Sequence, residues 1–153
     1  MKLKKILMAL GLFATVFSAS AIPTISAKSG WADNHYSAQP LFPNQVQLGY
    51  LDPGGDVDFY SYYNNSNEMQ NVQFGANPYG NNSPSLDFDV VAHIINQAGN
   101  TVHVYEVYDN GTGYGDWAST NLYPGWKVAW AIKPKNSAST GSHNQYRTLV
   151  RLY

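Results

Sequence analysis

From residue 45 onward, apolar side chains in this chain recur at every second position, and no stretch keeps the three-and-four spacing of an amphipathic helix for three turns. The longest run sets Leu86, Phe88, Val90, Ala92 and Ile94 against Asp87, Asp89, Val91, His93 and Ile95. Successive side chains of a strand point to opposite faces, so this spacing predicts sheet. Trp126, Val128, Trp130 and Ile132 alternate in the same way with Lys127, Ala129, Ala131 and Lys133. Val57, Phe59, Ser61 and Tyr63 oppose Asp58, Tyr60 and Tyr62, while Val46, Leu48 and Tyr50 oppose Gln45, Gln47 and Gly49. Val72, Phe74 and Ala76 predict a short strand, 101–108 another, and 146–153 a closing one. Turns and loops rich in Gly, Pro and Asn separate them at 52–55, 64–68, 77–85, 97–100, 109–116 and 136–144. About seven to eight short strands with such punctuation predict an all-β chain, an antiparallel β-sandwich of jelly-roll or immunoglobulin-like type.

The first residues follow different rules. Lys2, Lys4 and Lys5 precede an apolar run over 6–17 and then Ala19-Ser20-Ala21, the layout of a secretory signal peptide. That run is shorter than the roughly 20 residues that span a bilayer as a helix. The expected organisation is a signal peptide over 1–27, cleaved after Ala21 or Ala27, an extended arm over 28–42 and a β-sandwich over 43–153. The product is expected to be secreted, with no membrane insertion after cleavage. Cutting after Ala27 leaves 126 of 153 residues, enough for one domain with a real core. There is no cysteine, which excludes thiol catalysis and thiolate metal sites.

Charge is unevenly placed. Ten acids and no Lys or Arg lie between residues 29 and 126, and five bases with no acid follow from 127 to 153. Either the last strands supply cross-strand partners to acidic ones, or an acidic surface recruits a cation or a basic partner. Five bases are too few to neutralise a phosphate backbone, so nucleic acid is not an expected partner. The chain after residue 27 keeps twenty aromatic residues, most of them Tyr, a composition suited to β-sheet surfaces and to sites facing sugars or polymers.

Three stretches resemble the pre-peptidase C-terminal family, small β-sandwiches attached to secreted bacterial proteases and collagenases. Gly55-Asp56-Val57-Asp58-Phe59-Tyr60 is similar to its opening G-D-x-D-x-Y strand. Leu86-Asp87-Phe88-Asp89-Val90-Val91, with 96–100 behind it, resembles the central D-x-D hairpin. Leu122-Tyr123-Pro124-Gly125-Trp126-Lys127-Val128 resembles the approach to a late strand. The likeness spans about 42–153 and implies a module that binds extracellular polymers, with calcium taken up by its collagen-binding relatives. With no protease beside the matched stretch in these 153 residues, the module is expected to act alone.

Calcium is therefore a candidate ligand, with no other cofactor expected. Asp56 and Asp58, and Asp87 and Asp89, sit at i, i+2 spacing, which in a strand puts each pair on one face where a hard cation would relieve carboxylate repulsion. Alternatively they face water or pair with Lys127, Lys133, Arg147 and Arg151. The 109–116 loop has the look of a calcium loop but lacks an EF-hand's glutamate at position twelve. Tyr79, Tyr114, Trp117 and Tyr123 fall in predicted loops, where flat rings can stack on a ligand or cap the sandwich ends. Trp126 and Trp130 are expected in the core. His93 and His103 invite a pairing across their hairpin, but no G-x-S-x-G elbow is present and the only glutamates are Glu68 and Glu106. The expected function is a non-catalytic binding module for an extracellular polysaccharide, cell-wall component or matrix protein. The alternatives are a bacteriocin-like toxin or protease inhibitor acting on another protein, and a self-associating biofilm or spore-surface component. The oligomeric state is left open.

Overall fold

Alternating side chains resolve into nine strands in a computed structural model that describes residues 32–153. The expected signal peptide at 1–27 and the first four residues of the arm lie outside the described residues. The strands are β1 (Gln39–Pro40), β2 (Gln47–Tyr50), β3 (Asp58–Tyr63), β4 (Gln70–Tyr79), β5 (Phe88–Ile95), β6 (Thr101–Glu106), β7 (Asp116–Leu122), β8 (Lys127–Pro134) and β9 (Gln145–Leu152). One sheet has the order β1-β3-β8-β5-β6 and the other β2-β9-β4-β7. Every pairing within the sheets is antiparallel except the two-residue addition of β1 to β3. The expected β-sandwich is present.

Its core lies between the sheets. Trp130, Tyr60, Tyr146 and Phe74 are fully buried there, with Val90, Val128 and Ile132 filling around them. Each large apolar side chain so placed contributes roughly 1.5–3 kcal/mol relative to exposure. The polar edges of the core are satisfied across the gap: Trp130 Nε1 donates to Thr148 Oγ1 at 2.9 Å, and that hydroxyl donates to the Gly75 carbonyl at 2.7 Å. Trp126 is half-buried and packs against the same core.

The structure decides which faces of the early strands turn inward and where the arm lies. In β2 the inward residues are Gln47 and Gly49, continued by Leu51, not the apolar set Val46, Leu48 and Tyr50. The Tyr146 ring lies over Gly49, where an added methyl would overlap its hydroxyl end, so glycine at this position decides the phase. In β3 the core face is Asp58, Tyr60 and Tyr62, while Phe59 packs on the outer face with Val91 and Ala131. Arm residues before Pro43 pack against the sandwich. The arm lies over that outer face, where Ala38 joins Phe59, and the Ala32 carbonyl accepts the Phe59 amide at 2.9 Å. Leu41 is buried in the main core.

β4 also runs further than expected, through Pro78. A proline is tolerated there because β7 stops opposite Ala76, leaving β4 locally at an edge.

Antiparallel pairing collects the loops at two ends. The starts of β3, β5, β7 and β9 meet the ends of β2, β4, β6 and β8 at one end, which carries Asp52, Asp56, Asp58, Asp87, Asp89, Asp109 and Asp116. The turns 64–69, 96–100 and 123–126 lie at the other, with Tyr63, Tyr123 and Trp126 among or beside them. Buried Asn64 ties that second end together, its amide donating to the carbonyls of Glu68 at 2.8 Å and Leu122 at 2.9 Å.

Candidate functional site

At the acidic end, Asp52 and Asp56 meet Asp33 of the arm around a polar cavity of about 260 Å³. Asp56 precedes β3 and is not bound by strand alternation. Its carboxylate accepts the amides of Asp52 at 2.9 Å and Val57 at 3.1 Å, which shapes the turn. Asp58 points the other way, into the core. Its Oδ2 accepts from the Tyr146 hydroxyl, and that hydroxyl lies 2.7 Å from the hydroxyl of Tyr60. Asp58 Oδ1 is buried and has no hydrogen-bond partner among the described residues. Burial foremost pushes its pKa up to about 7, against the Tyr146 hydrogen bond and helped by the charges of Asp56, Asp33 and Asp52. Burial also pushes Tyr60 and Tyr146 up, so both remain protonated donors.

A second buried carboxylate opens β7. Asp116 is 2% exposed, its Oδ1 accepts the Asn110 amide at 2.9 Å, and its Oδ2 has no partner. Carboxylate oxygens of Asp89, Asp109 and Asp116 lie within 4.8 Å of one another. Asp109 accepts the Gly111 amide at 2.7 Å and pairs with Lys135, whose Nζ is also 3.9 Å from Asp89. These are the ion pairs found among the described residues, so the basic C-terminal stretch does little of the expected cross-strand neutralisation. Asp87 stands beside the group, its Oδ2 accepting the Thr112 hydroxyl at 3.0 Å. Burial foremost raises the pKa of Asp116, opposed by the Asn110 amide and helped by Asp109, Asp89 and Asp87. Burial also raises Asp89, with Lys135 opposing.

The four carboxylates Asp56, Asp58, Asp87 and Asp89 therefore do not converge. Asp56 is committed to its own turn and Asp58 to the Tyr146 hydroxyl, a poor donor set for a cation that takes six to eight oxygens. Asp89 is instead joined by Asp109 and Asp116, which do fit such a cation.

The aromatic set divides as well. Tyr79 ends β4, Tyr114 stands exposed in the 109–116 loop, and Trp117 lies within β7 opposite Gly75, half-buried beside Gly115. The glycines before it conceal the start of a strand, which is why its spacing predicts a loop. Tyr123 lies at the opposite end, edge-on to Trp126 with ring centroids 5.1 Å apart. The four do not form one surface. His93 and His103 also part, since His93 sits across from Val104 and His103 across from Ile94, on opposite faces. His93 stacks instead on His35 of the arm at 5.3 Å, and burial foremost, with His35 and Lys133, lowers its pKa.

Aromatics that the spacing does not single out line the other end. Tyr36 is 81% exposed and Tyr63 53% exposed, and they border a groove of about 280 Å³ with Ile95, Asn96, Gln97 and Lys127. Tyr63 also borders a second groove of about 440 Å³, lined by Phe42, Pro40, Pro43 and Gln70. The signal for Tyr63 was its place on the Phe59–Ser61 face of β3, which leaves it outward once that face is identified as the outer one.

No family model and no curated protein matches the sequence. Among solved structures, the pre-peptidase C-terminal domain of collagenase from Bacillus anthracis matches with a TM-score of 0.51 and 20% identity, over 74% of this chain and 94% of that one. The fold is similar to that of a pre-peptidase C-terminal domain. Within this pre-peptidase C-terminal-like frame, the three stretches that carry the sequence resemblance fall at the turn into β3, the start of β5 and the β7–β8 turn. A structure of infectious bursal disease virus (TM-score 0.38, 15% identity, 70% of this chain and 28% of that one) is a weaker match. So is the bacteriophage CBA120 tailspike protein 4 (0.36, 13%, 86% and 22%); neither carries an argument. No helix among the described residues is long and apolar enough to cross a membrane.

Proposed function

We propose that the chain is an exported, non-catalytic module that holds an extracellular polysaccharide along its aromatic end. The observation that carries this reading is Tyr63, an exposed ring shared by two adjoining grooves. A polymer needs consecutive subsites, and a wall common to both lets one chain continue from the first into the second. Tyr36 and Phe42 supply further flat faces for stacking on sugar rings, and the Asn96, Gln97 and Gln70 amides supply hydrogen bonds without net charge. Export rests on the leader.

Pull-down on insoluble polysaccharides, peptidoglycan and collagen tests it. Tyr63→Ala should weaken capture at least about tenfold, the equivalent of roughly 1.4 kcal/mol, and Tyr36→Ala less. Trp117→Ala should leave capture unchanged. Capture by collagen alone would move the ligand to matrix protein, and no capture by any polymer would refute the reading. Self-association has one observation in its favour, the edge of β6, unpaired among the described residues, where Val102 and Val104 are about half exposed. A strict monomer in concentration-dependent sedimentation would remove it.

A further inference from the structure

We propose that Asp89, Asp109 and Asp116 hold a calcium ion at the acidic end and that Lys135 is its built-in competitor. Three carboxylate oxygens within 4.8 Å concentrate negative charge that a single ammonium offsets only in part. The independent observation is Asp116 Oδ2. It belongs to a side chain that is 2% exposed, sits in this group, and lacks any hydrogen-bond partner among the described residues. An unpartnered buried carboxylate oxygen is costly, and protein interiors leave few of them without a reason. Lys135 reaches Asp109 and Asp89, yet its side chain is 41% exposed and it makes no ion pair with Asp116. A cation seated among the three would satisfy the oxygen that the lysine does not.

The donor set suits calcium better than magnesium. Calcium takes six to eight oxygens in flexible geometry, which a set drawn from β5, a surface loop and the start of β7 can meet, whereas magnesium demands near-ideal octahedral geometry and keeps several of its waters. Asp89 and Asp109 are partly exposed, so water can complete the six to eight ligands. Such a site would resemble extracellular modules with Kd of roughly 0.1–1 mM. Binding would tie the 109–116 loop, which carries Tyr114, to β5.

The test is calcium titration of the purified, EDTA-stripped protein, read as heat of binding and as Tm. Wild type should gain about 5 °C at 10 mM calcium, and Lys135→Met should bind at least about tenfold tighter. Asp116→Asn should lose at least about tenfold in affinity. Asp109→Asn, at a more exposed position, should lose as much, which covers the case of an Asp116 variant that folds poorly. No calcium response in either wild type or Lys135→Met would overturn the proposal. So would a response that survives both asparagine substitutions. Polymer capture at the other end is scored separately with Tyr63→Ala, so either proposal can fail without the other.

Discussion

Asp58 and Asp116 each begin a strand at the same end of the sandwich, each is buried, and each leaves one carboxylate oxygen without a partner. Their surroundings differ. Asp58 is met by the Tyr146 hydroxyl from between the sheets, itself bonded to that of Tyr60, and the charges acting on it are those of Asp56, Asp33 and Asp52. Asp116 is met by a backbone amide of a surface loop, and its acidic neighbours are accompanied by the Lys135 ammonium. A carboxyl enclosed by rings relieves its burial by keeping a proton, whereas one at a cluster open to solvent ions can do so by taking up a cation. The same residue type at the same kind of strand position thus acquires different chemistry from what can reach it.

The pH dependence of stability separates the two with the largest expected effect. Asp58 has a folded pKa of about 7, above the ordinary carboxyl value of about 3.9 in the unfolded chain. Between those values the native state keeps a proton that the unfolded state has released. The stabilisation is therefore fully present below about pH 4 and is lost as pH rises toward 7, on the order of 4 kcal/mol in all. Urea unfolding in metal-free buffer should show the decline, and Asp58→Asn should flatten it. Asp89 and Asp116 are shifted in the same direction, so added calcium should remove their share of the slope and leave that of Asp58. A slope unchanged in Asp58→Asn would break the distinction.

Two glycines guard the two carboxyls and give the next test. Gly75 has a φ of 153°, and a methyl there would overlap the backbone of Asp116 and Trp117. Gly49→Ala would press on the end of the Tyr146 ring instead. Backbone held in a ladder yields less than a ring, so Gly75→Ala should lose roughly 3 kcal/mol and Gly49→Ala somewhat less. Gly75→Ala should also abolish the calcium response while leaving the pH slope of Asp58; Gly49→Ala should do the reverse. Smaller again is Tyr146→Phe, which removes the donor to Asp58 without changing shape. It should destabilise by roughly 2 kcal/mol at pH 7 and less at pH 5, where the carboxyl is already protonated.

How much of this was legible depended on whether one strand or several supplied the information. β5 and β8 read correctly because their inward residues are aliphatic or aromatic, and period two alone places them. β2 read in the wrong phase because its inward face is Gln47 and Gly49, chosen by the Tyr146 ring from a strand far along the chain. Asp58 read as a surface acid because nothing near it in sequence announces Tyr146. Asp89 was singled out by its spacing from Asp87, but its partners come from the loop after the next strand, Asp109, and from the start of β7, Asp116. The aromatic groove failed for the same reason, since Tyr36 and Tyr63 meet only when the arm crosses the outer face of the five-stranded sheet.

Lys135→Met in metal-free buffer should give the smallest change of the series. Its ammonium is substantially exposed, and exposed ion pairs gain little over hydration while holding a long side chain in one geometry. Removing it also takes away a positive charge beside Asp109, whose pKa is held down chiefly by the Lys135 hydrogen bond and next by the Gly111 amide. The Asp109 carboxyl should consequently titrate at higher pH in the variant, a shift that carbon-detected NMR can follow. Adding calcium should then lower that pKa again if the ion sits where the lysine stood. A carboxyl that stays raised in saturating calcium would leave Lys135 as the only cation this cluster accepts, and the contrast with Asp58 would reduce to a proton against a lysine.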